Sequence, residues 1–168
     1  MKFKQLALAA AVGLASSGAW AEDVTVNNID LSANTAFFGV FHFDDVAFTD
    51  TFNFINGPSF ANATASLVTI ALAPGSQDID LTSATLNGNA LTLTGPGVFE
   101  AGFGGWSGLT GPTFQLIVMG MTSGTPGSTA ATYSGTINVS AVPEPGTYAL
   151  MLAGLGAVGF IAKRRKLM

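Results

Sequence analysis

Residues 132–140 read TYSGTINVS, and their alternation decides the fold class. Tyr133, Ile137 and Val139 fall on one side of an extended chain, with Gly135 between them. Thr132, Ser134, Thr136, Asn138 and Ser140 fall on the other. A period of two is the pattern of a half-buried strand with a hydroxyl-rich outer face. Upstream, Thr113–Met121 sets Phe114, Leu116 and Val118 against Ile117 and Met119, which predicts a strand buried on both faces. Leu67–Ala73 reads the same way. Ile79–Leu86, Asn87-Gly88-Asn89 and Ala90–Thr94 form a hairpin pattern, because a type I′ turn needs positive φ and Asn-Gly supplies it. Gly102–Gly111 (GFGGWSGLTG) and Thr122–Thr129 (TSGTPGST) read as loops. Short strands between Gly, Pro and Asn turns predict an all-β domain, a jelly-roll-like β-sandwich of about seven to nine strands. There is no amphipathic helix pattern before the C-terminal tail.

Charge narrows the function. The six basic residues are Lys2, Lys4, Lys163, Arg164, Arg165 and Lys166, all near the ends, and the ten acids lie between Glu22 and Glu144. Glu22–Thr147 therefore holds every acid and no Lys or Arg. Nothing in it can neutralise phosphates, so nucleic acid is excluded as a partner. The chain has no cysteine, which removes disulfides, thiolate catalysis and cysteine metal sites.

Residues 1–21 read as a secretory signal peptide. Lys2 and Lys4 form its basic start, Leu6–Leu14 its apolar stretch, and Ala19-Trp20-Ala21 a small-x-small site for signal peptidase before Glu22. An uncleaved N-terminal anchor is the plainer alternative. Residues 22–141 then form the exported domain.

Within that domain, Phe37–Phe54 (FFGVFHFDDVAFTDTFNF) holds more than half of the chain's 13 phenylalanines. By strand periodicity Phe48, Asp50, Phe52 and Phe54 share one face, so a carboxylate sits in a phenylalanine row. Burial of an unpaired carboxylate is costly, and no Lys or Arg is near. Backbone N–H donors at a turn, a metal cation, or a strand edge open to water would each answer. The structural reading makes Asp50 a turn cap. The metal reading makes Asp44, Asp45 and Asp50 a calcium site, with Asp78 and Asp80 together on another strand face. The spacing is not that of an EF-hand loop. His42, the one histidine, reads as packed or at an edge and cannot anchor a zinc site alone. No serine lies in a G-x-S-x-G elbow, and the reading is of a protein that is not an enzyme.

Residues 142–168 form the tail. Pro143, Glu144 and Pro145 read as an extended segment, since prolines disfavour helix there. Thr147–Ala162 is 16 residues without charge, about 24 Å as a helix against a hydrocarbon core of ~30 Å. Lys163, Arg164, Arg165 and Lys166 flank it and orient it with the C-terminus in the cytoplasm.

Val142-Pro143-Glu144-Pro145, a short Gly/Ala-rich helix and Lys163-Arg164-Arg165-Lys166 together resemble the PEP-CTERM sorting signal. Phe48-Thr49-Asp50-Thr51-Phe52 resembles the signature of its FxDxF subgroup, carried by Phe48, Asp50 and Phe52. The resemblance implies an exported protein of a Gram-negative bacterium that makes exopolysaccharide. It implies inner-membrane anchoring, then removal of the tail near the PEP motif by exosortase, a membrane-embedded enzyme. It further implies release to the cell surface or a biofilm matrix and a structural or adhesive role. The same kind of tail has been labelled as belonging to ice-binding proteins, a label that describes the tail rather than the domain. The competing expectation is a carbohydrate- or ice-binding module, with Trp106 stacking on a sugar ring or a flat Thr-rich face against ice.

Overall fold

The computed structural model describes residues 23–43, 47–70, 77–123, 131–143 and 145–165. The expected signal peptide and its cleavage point lie outside the described residues. Among the described residues, ten strands precede one helix. They are β1 (Thr25–Asp30), β2 (Thr35–His42), β3 (Ala47–Ile55), β4 (Phe60–Ile70), β5 (Asp78–Leu86), β6 (Asn89–Ala90), β7 (Thr92–Leu93), β8 (Phe99–Thr110), β9 (Phe114–Ser123) and β10 (Ala131–Ala141). The helix is α1 (Pro145–Arg165).

The strands form two sheets, ordered β1-β3-β9-β5-β6 and β2-β10-β4-β8-β7. β1 runs parallel to β3, and every other pairing is antiparallel. β1 to β5 alternate between the sheets, so their inner faces share one core. The first sheet contributes Phe48, Phe52 and Phe54 with Phe114, Leu116 and Val118. The second answers with smaller groups, Ala61, Ala63 and Ala65 on β4, beside Phe38, Tyr133 and Ile137. Large against small fills the space between two pleated faces without strain. The rings of Phe38 and Phe52 meet across the sheets at 4.9 Å. The all-β sandwich expected from the alternation is the fold observed.

Residues 132–140 behave as their pattern demands: Tyr133, Ile137 and Val139 are buried while Thr132, Ser134, Asn138 and Ser140 are exposed. Three expectations need correction. β9 is buried on one face only, since Met119 and Met121 are solvent-exposed; among the described residues no layer covers the outer face of its sheet. The glycine-rich stretch at 102–111 is not a loop but mostly strand β8, paired with β4 from Phe99 to Thr110. The pairing is broken only by a register shift between Trp106 and Leu109, and Trp106 folds back over Gly104 and packs on the core. The hairpin after β5 is real but short. Asn87 and Gly88 both have positive φ, 48° and 77°, and Leu86 faces Asn89 across the turn. After Ala90 the chain crosses to the other sheet, where Thr92 and Leu93 pair with β8. Of the second expected loop, Thr122 and Ser123 belong to β9 and the rest lies outside the described residues.

Candidate functional site

Asp50 projects from β3 into the core and is fully buried. Its Oδ1 accepts the backbone N–H of Val24 at 2.9 Å. Its Oδ2 accepts the Tyr133 hydroxyl at 2.5 Å and lies 2.8 Å from Nε2 of His42. A carboxylate offers no proton, so the imidazole carries one on Nε2. These donors come from the segment before β1, from β10 and from β2. Asp50 thereby ties its own sheet to the opposite one. Burial pushes the Tyr133 phenol upward, and the charge of Asp50 and its hydrogen bond push it the same way. Tyr133 therefore stays a donor throughout the physiological range.

The phenylalanines on either side of Asp50 complete the arrangement. Phe48 stacks on the His42 ring with centroids 4.0 Å apart and planes at 18°. Phe52 meets Tyr133 edge-on at 6.2 Å. Phe48, Asp50 and Phe52, two residues apart on one strand face, thus all contact the His42–Tyr133 pair. A side chain at the facing position of β9 would block this: a Cβ on Gly120 would fall 2.7 Å from the Phe48 ring.

None of the three expected partners of Asp50 is its full complement. It takes one backbone N–H, from an adjacent segment rather than a turn, and two side-chain donors, an imidazole and a phenol. His42 and Tyr133 were legible as inward-facing polar residues: His42 continues the Phe38–Val40 row, and Tyr133 stands in the row of Ile137 and Val139. Their meeting with Asp50 was not legible. Asp44 and Asp45, the other members of the expected calcium set, lie outside the described residues. Both oxygens of Asp50 are engaged by protein donors. Among the described residues no group of three or more His, Asp or Glu is placed to hold a metal ion. Asp78 and Asp80 stand on one face of β5 as expected. Burial raises the Asp78 carboxyl, the Ile79 N–H opposes this, and the charge of Asp80 adds to it.

A second buried carboxylate, Glu100 on β8, was missed from sequence. Its Oε2 accepts the N–H of Leu81 at 2.7 Å and its Oε1 that of Gly97 at 3.1 Å. Leu81 lies where the β5–β9 register shifts, so Glu100 takes up an N–H at an irregularity of the other sheet's ladder. Burial raises its carboxyl above the usual range; the two N–H bonds oppose this, and Asp80 and Asp78 add to it.

The tail starts where β10 ends. The Val142 N–H bonds the Phe60 carbonyl at 2.9 Å and anchors the exit from the sheet. Pro145 is the first residue of α1, not part of an extended segment as expected. A proline suits that place because its missing N–H would be unpaired anyway. Glu144 and Lys166 lie outside the described residues; Pro143 is exposed. With 21 residues, α1 spans about 31 Å, the thickness of a hydrocarbon core. It is longer than the uncharged stretch alone because its last turn takes in Lys163, Arg164 and Arg165. Gly146–Arg165 is long and apolar enough to cross a membrane and is 0% buried against the rest of the chain.

No curated protein matches this chain. Among solved structures, the pre-peptidase C-terminal domain of a collagenase from Bacillus anthracis is similar at 12% identity, over 73% of this chain and 100% of that one, with a TM-score of 0.33. Residues 141–166, from the end of β10 through α1, match the PEP-CTERM protein-sorting motif, and the C-terminal tail of this chain is such a motif.

Proposed function

We propose that this chain is an exported protein whose tail presents it to exosortase. In this reading signal peptidase removes residues 1–21. α1 then holds the precursor in the inner membrane of a Gram-negative bacterium. Cutting near Pro143, Glu144 and Pro145 releases the β-sandwich to the cell surface or an exopolysaccharide-rich biofilm matrix, where its role is structural or adhesive and not catalytic. The observation that carries it is the match of residues 141–166 to a sorting motif on a helix that leaves the folded domain without packing against it. A helix that contributes nothing to the core can be removed without unfolding what remains. The buried Phe48–Asp50–Phe52 unit supports a structural part for the FxDxF pattern: it holds two sheets together and offers no surface.

Replacing Pro143, Glu144 and Pro145 with alanine tests the sorting step. An ordinary anchor needs only the apolar run and the basic end, so it is indifferent to this change. In a host with exosortase, C-terminal peptide mapping should find wild-type protein without Tyr148–Met168. The triple variant should keep that segment and stay in the inner membrane. Retention of Lys163–Met168 by both proteins in that host would make the tail a plain anchor.

A further inference from the structure

The outer face of the sheet β2-β10-β4-β8-β7 pairs exposed aromatic rings with a floor of small and hydroxyl-bearing side chains. Across the four longer strands, Gly39 faces Ser134, Ser134 faces Val68, and Val68 faces Ala101. This row of small residues runs at right angles to the strands. Two residues along, the next row is Phe37, Thr136, Ser66 and Phe103. On the other side of Gly39 stands Phe41, and on the other side of Ala101 stands Phe99. Each end of the small-residue row is thus flanked by two phenylalanines. They are far out in solvent: Phe37 76%, Phe41 61%, Phe99 59% and Phe103 56% exposed. A shallow groove of about 310 Å³ lies beside Phe37, over Ser66, Val68, Ser134 and Thr136. In its floor the hydroxyls of Ser66 and Thr136 bond each other at 3.1 Å.

Exposed aromatic rings in a cluster mark a contact surface. Its chemistry selects the occupant. Among the described residues no Asp, Glu, Lys or Arg lies on this face, so a charged polymer finds no counter-charge there. Phenyl faces beside hydroxyl groups match a molecule whose own faces are C–H and whose rim is hydroxyl, which is a sugar ring. A second copy of the chain fits poorly. Three strand spacings by four residues is about 14 × 13 Å, or roughly 200 Å², against about 800 Å² per partner in a stable interface. A lipid surface fits poorly too. Phe41 pairs with Thr132, nine residues or about 30 Å along β10 from the point where the tail departs.

We propose that this face binds a neutral polysaccharide chain, laid across the strands over Gly39, Ser134, Val68 and Ala101 between the two phenylalanine pairs. The inference rests on the exported reading above, which puts the domain among extracellular polymers. Native electrophoresis of the full chain, in micelles of a detergent without a sugar headgroup, tests it. Gels are cast with dextran, galactomannan or mixed-linkage β-glucan as neutral probes, and with alginate as the anionic one. The chain should be retarded in at least one neutral gel and not in alginate. The double variant F37A/F103A should bind about tenfold more weakly, the loss of two ring contacts, and S134E, which puts a charge in the trough, should bind less as well. Both substitute exposed residues, and unchanged urea midpoints would show intact folding. Absence of retardation in every neutral gel overturns the proposal. So does retardation that neither variant weakens, or a concentration-dependent dimer that F37A/F103A abolishes. Tail processing is read separately by C-terminal mapping. Normal processing without retardation sinks this inference alone, and retardation with an unprocessed tail sinks the sorting reading alone.

Discussion

Asp50 shows how a domain without lysine or arginine keeps a carboxylate in its core. Three donors surround it instead: a backbone N–H, a phenol and an imidazole. The cost of removing the acceptor then falls on the donors. Asp50→Ala leaves the Val24 N–H, the Tyr133 hydroxyl and the His42 N–H without that acceptor in a buried site. It should lower unfolding stability by roughly 1–3 kcal/mol for each buried donor left unsatisfied. Tyr133→Phe removes one donor, leaves the rest, and should cost about 1–2 kcal/mol. Urea titrations of the two variants beside wild type would measure both. A Tyr133→Phe variant as stable as wild type would count against the short hydroxyl–carboxylate bond.

At the scale of the element, backbone rules decide more than composition does. The Asn87-Gly88 turn works because both residues take positive φ, a conformation that costs an ordinary L residue roughly 1–2 kcal/mol. Gly88→Val should lower stability by about that amount. Asn87→Gly keeps the turn conformation but removes the Oδ1 that accepts the Gln115 N–H at 2.7 Å, and should cost about 0.5–1.5 kcal/mol; thermal melting of both would show this. β8 makes the opposite point. Its glycines lower strand propensity, and the stretch reads as a loop. Yet the backbone pairs with β4 along its length save for one register shift between Trp106 and Leu109, and Trp106 covers the bare chain at Gly104. Pairing with a long neighbour outweighs a local preference of under about 1 kcal/mol per glycine.

In the whole molecule, two buried carboxylates join the sheets from opposite sides. Asp50 reaches from the first sheet to Tyr133 and His42 of the second; Glu100 reaches from the second to the Leu81 N–H of the first. The Glu100 carboxyl is raised in the fold, so the folded chain holds a proton that the unfolded chain gives up. Its contribution is complete below its ordinary value of 4.5 and is lost as pH rises through the folded value. Asp78 is raised as well and acts in the same direction. Asp30, exposed and lowered by hydrogen bonds from Asn56 and Ser32, acts in the opposite direction at lower pH. Stability measured from pH 4.5 upward should therefore fall over that first limb, and Glu100→Gln should flatten it while Asp78 leaves a residual slope. An unchanged slope in the variant would assign the limb to other acids.

The sequence by itself determined the class of fold, the turn at Asn87-Gly88 and the character of the tail. Each of these is written in local order: a period of two, a dipeptide with one backbone preference, a proline-flanked apolar run ending in basic residues. Alternation also put Asp50 on the inner face of its strand. It did not say what Asp50 would meet, because His42 and Tyr133 belong to the other sheet and Val24 to a neighbouring edge. It did not find Glu100, whose reason to be buried is an N–H at an irregularity in another strand. Nor did it find the aromatic-flanked face, since Phe37 and Phe103 come together only when β10 and β4 lie between β2 and β8. Strand order and register across a sheet are set by the packing of all its members at once, and only the tertiary structure decided them.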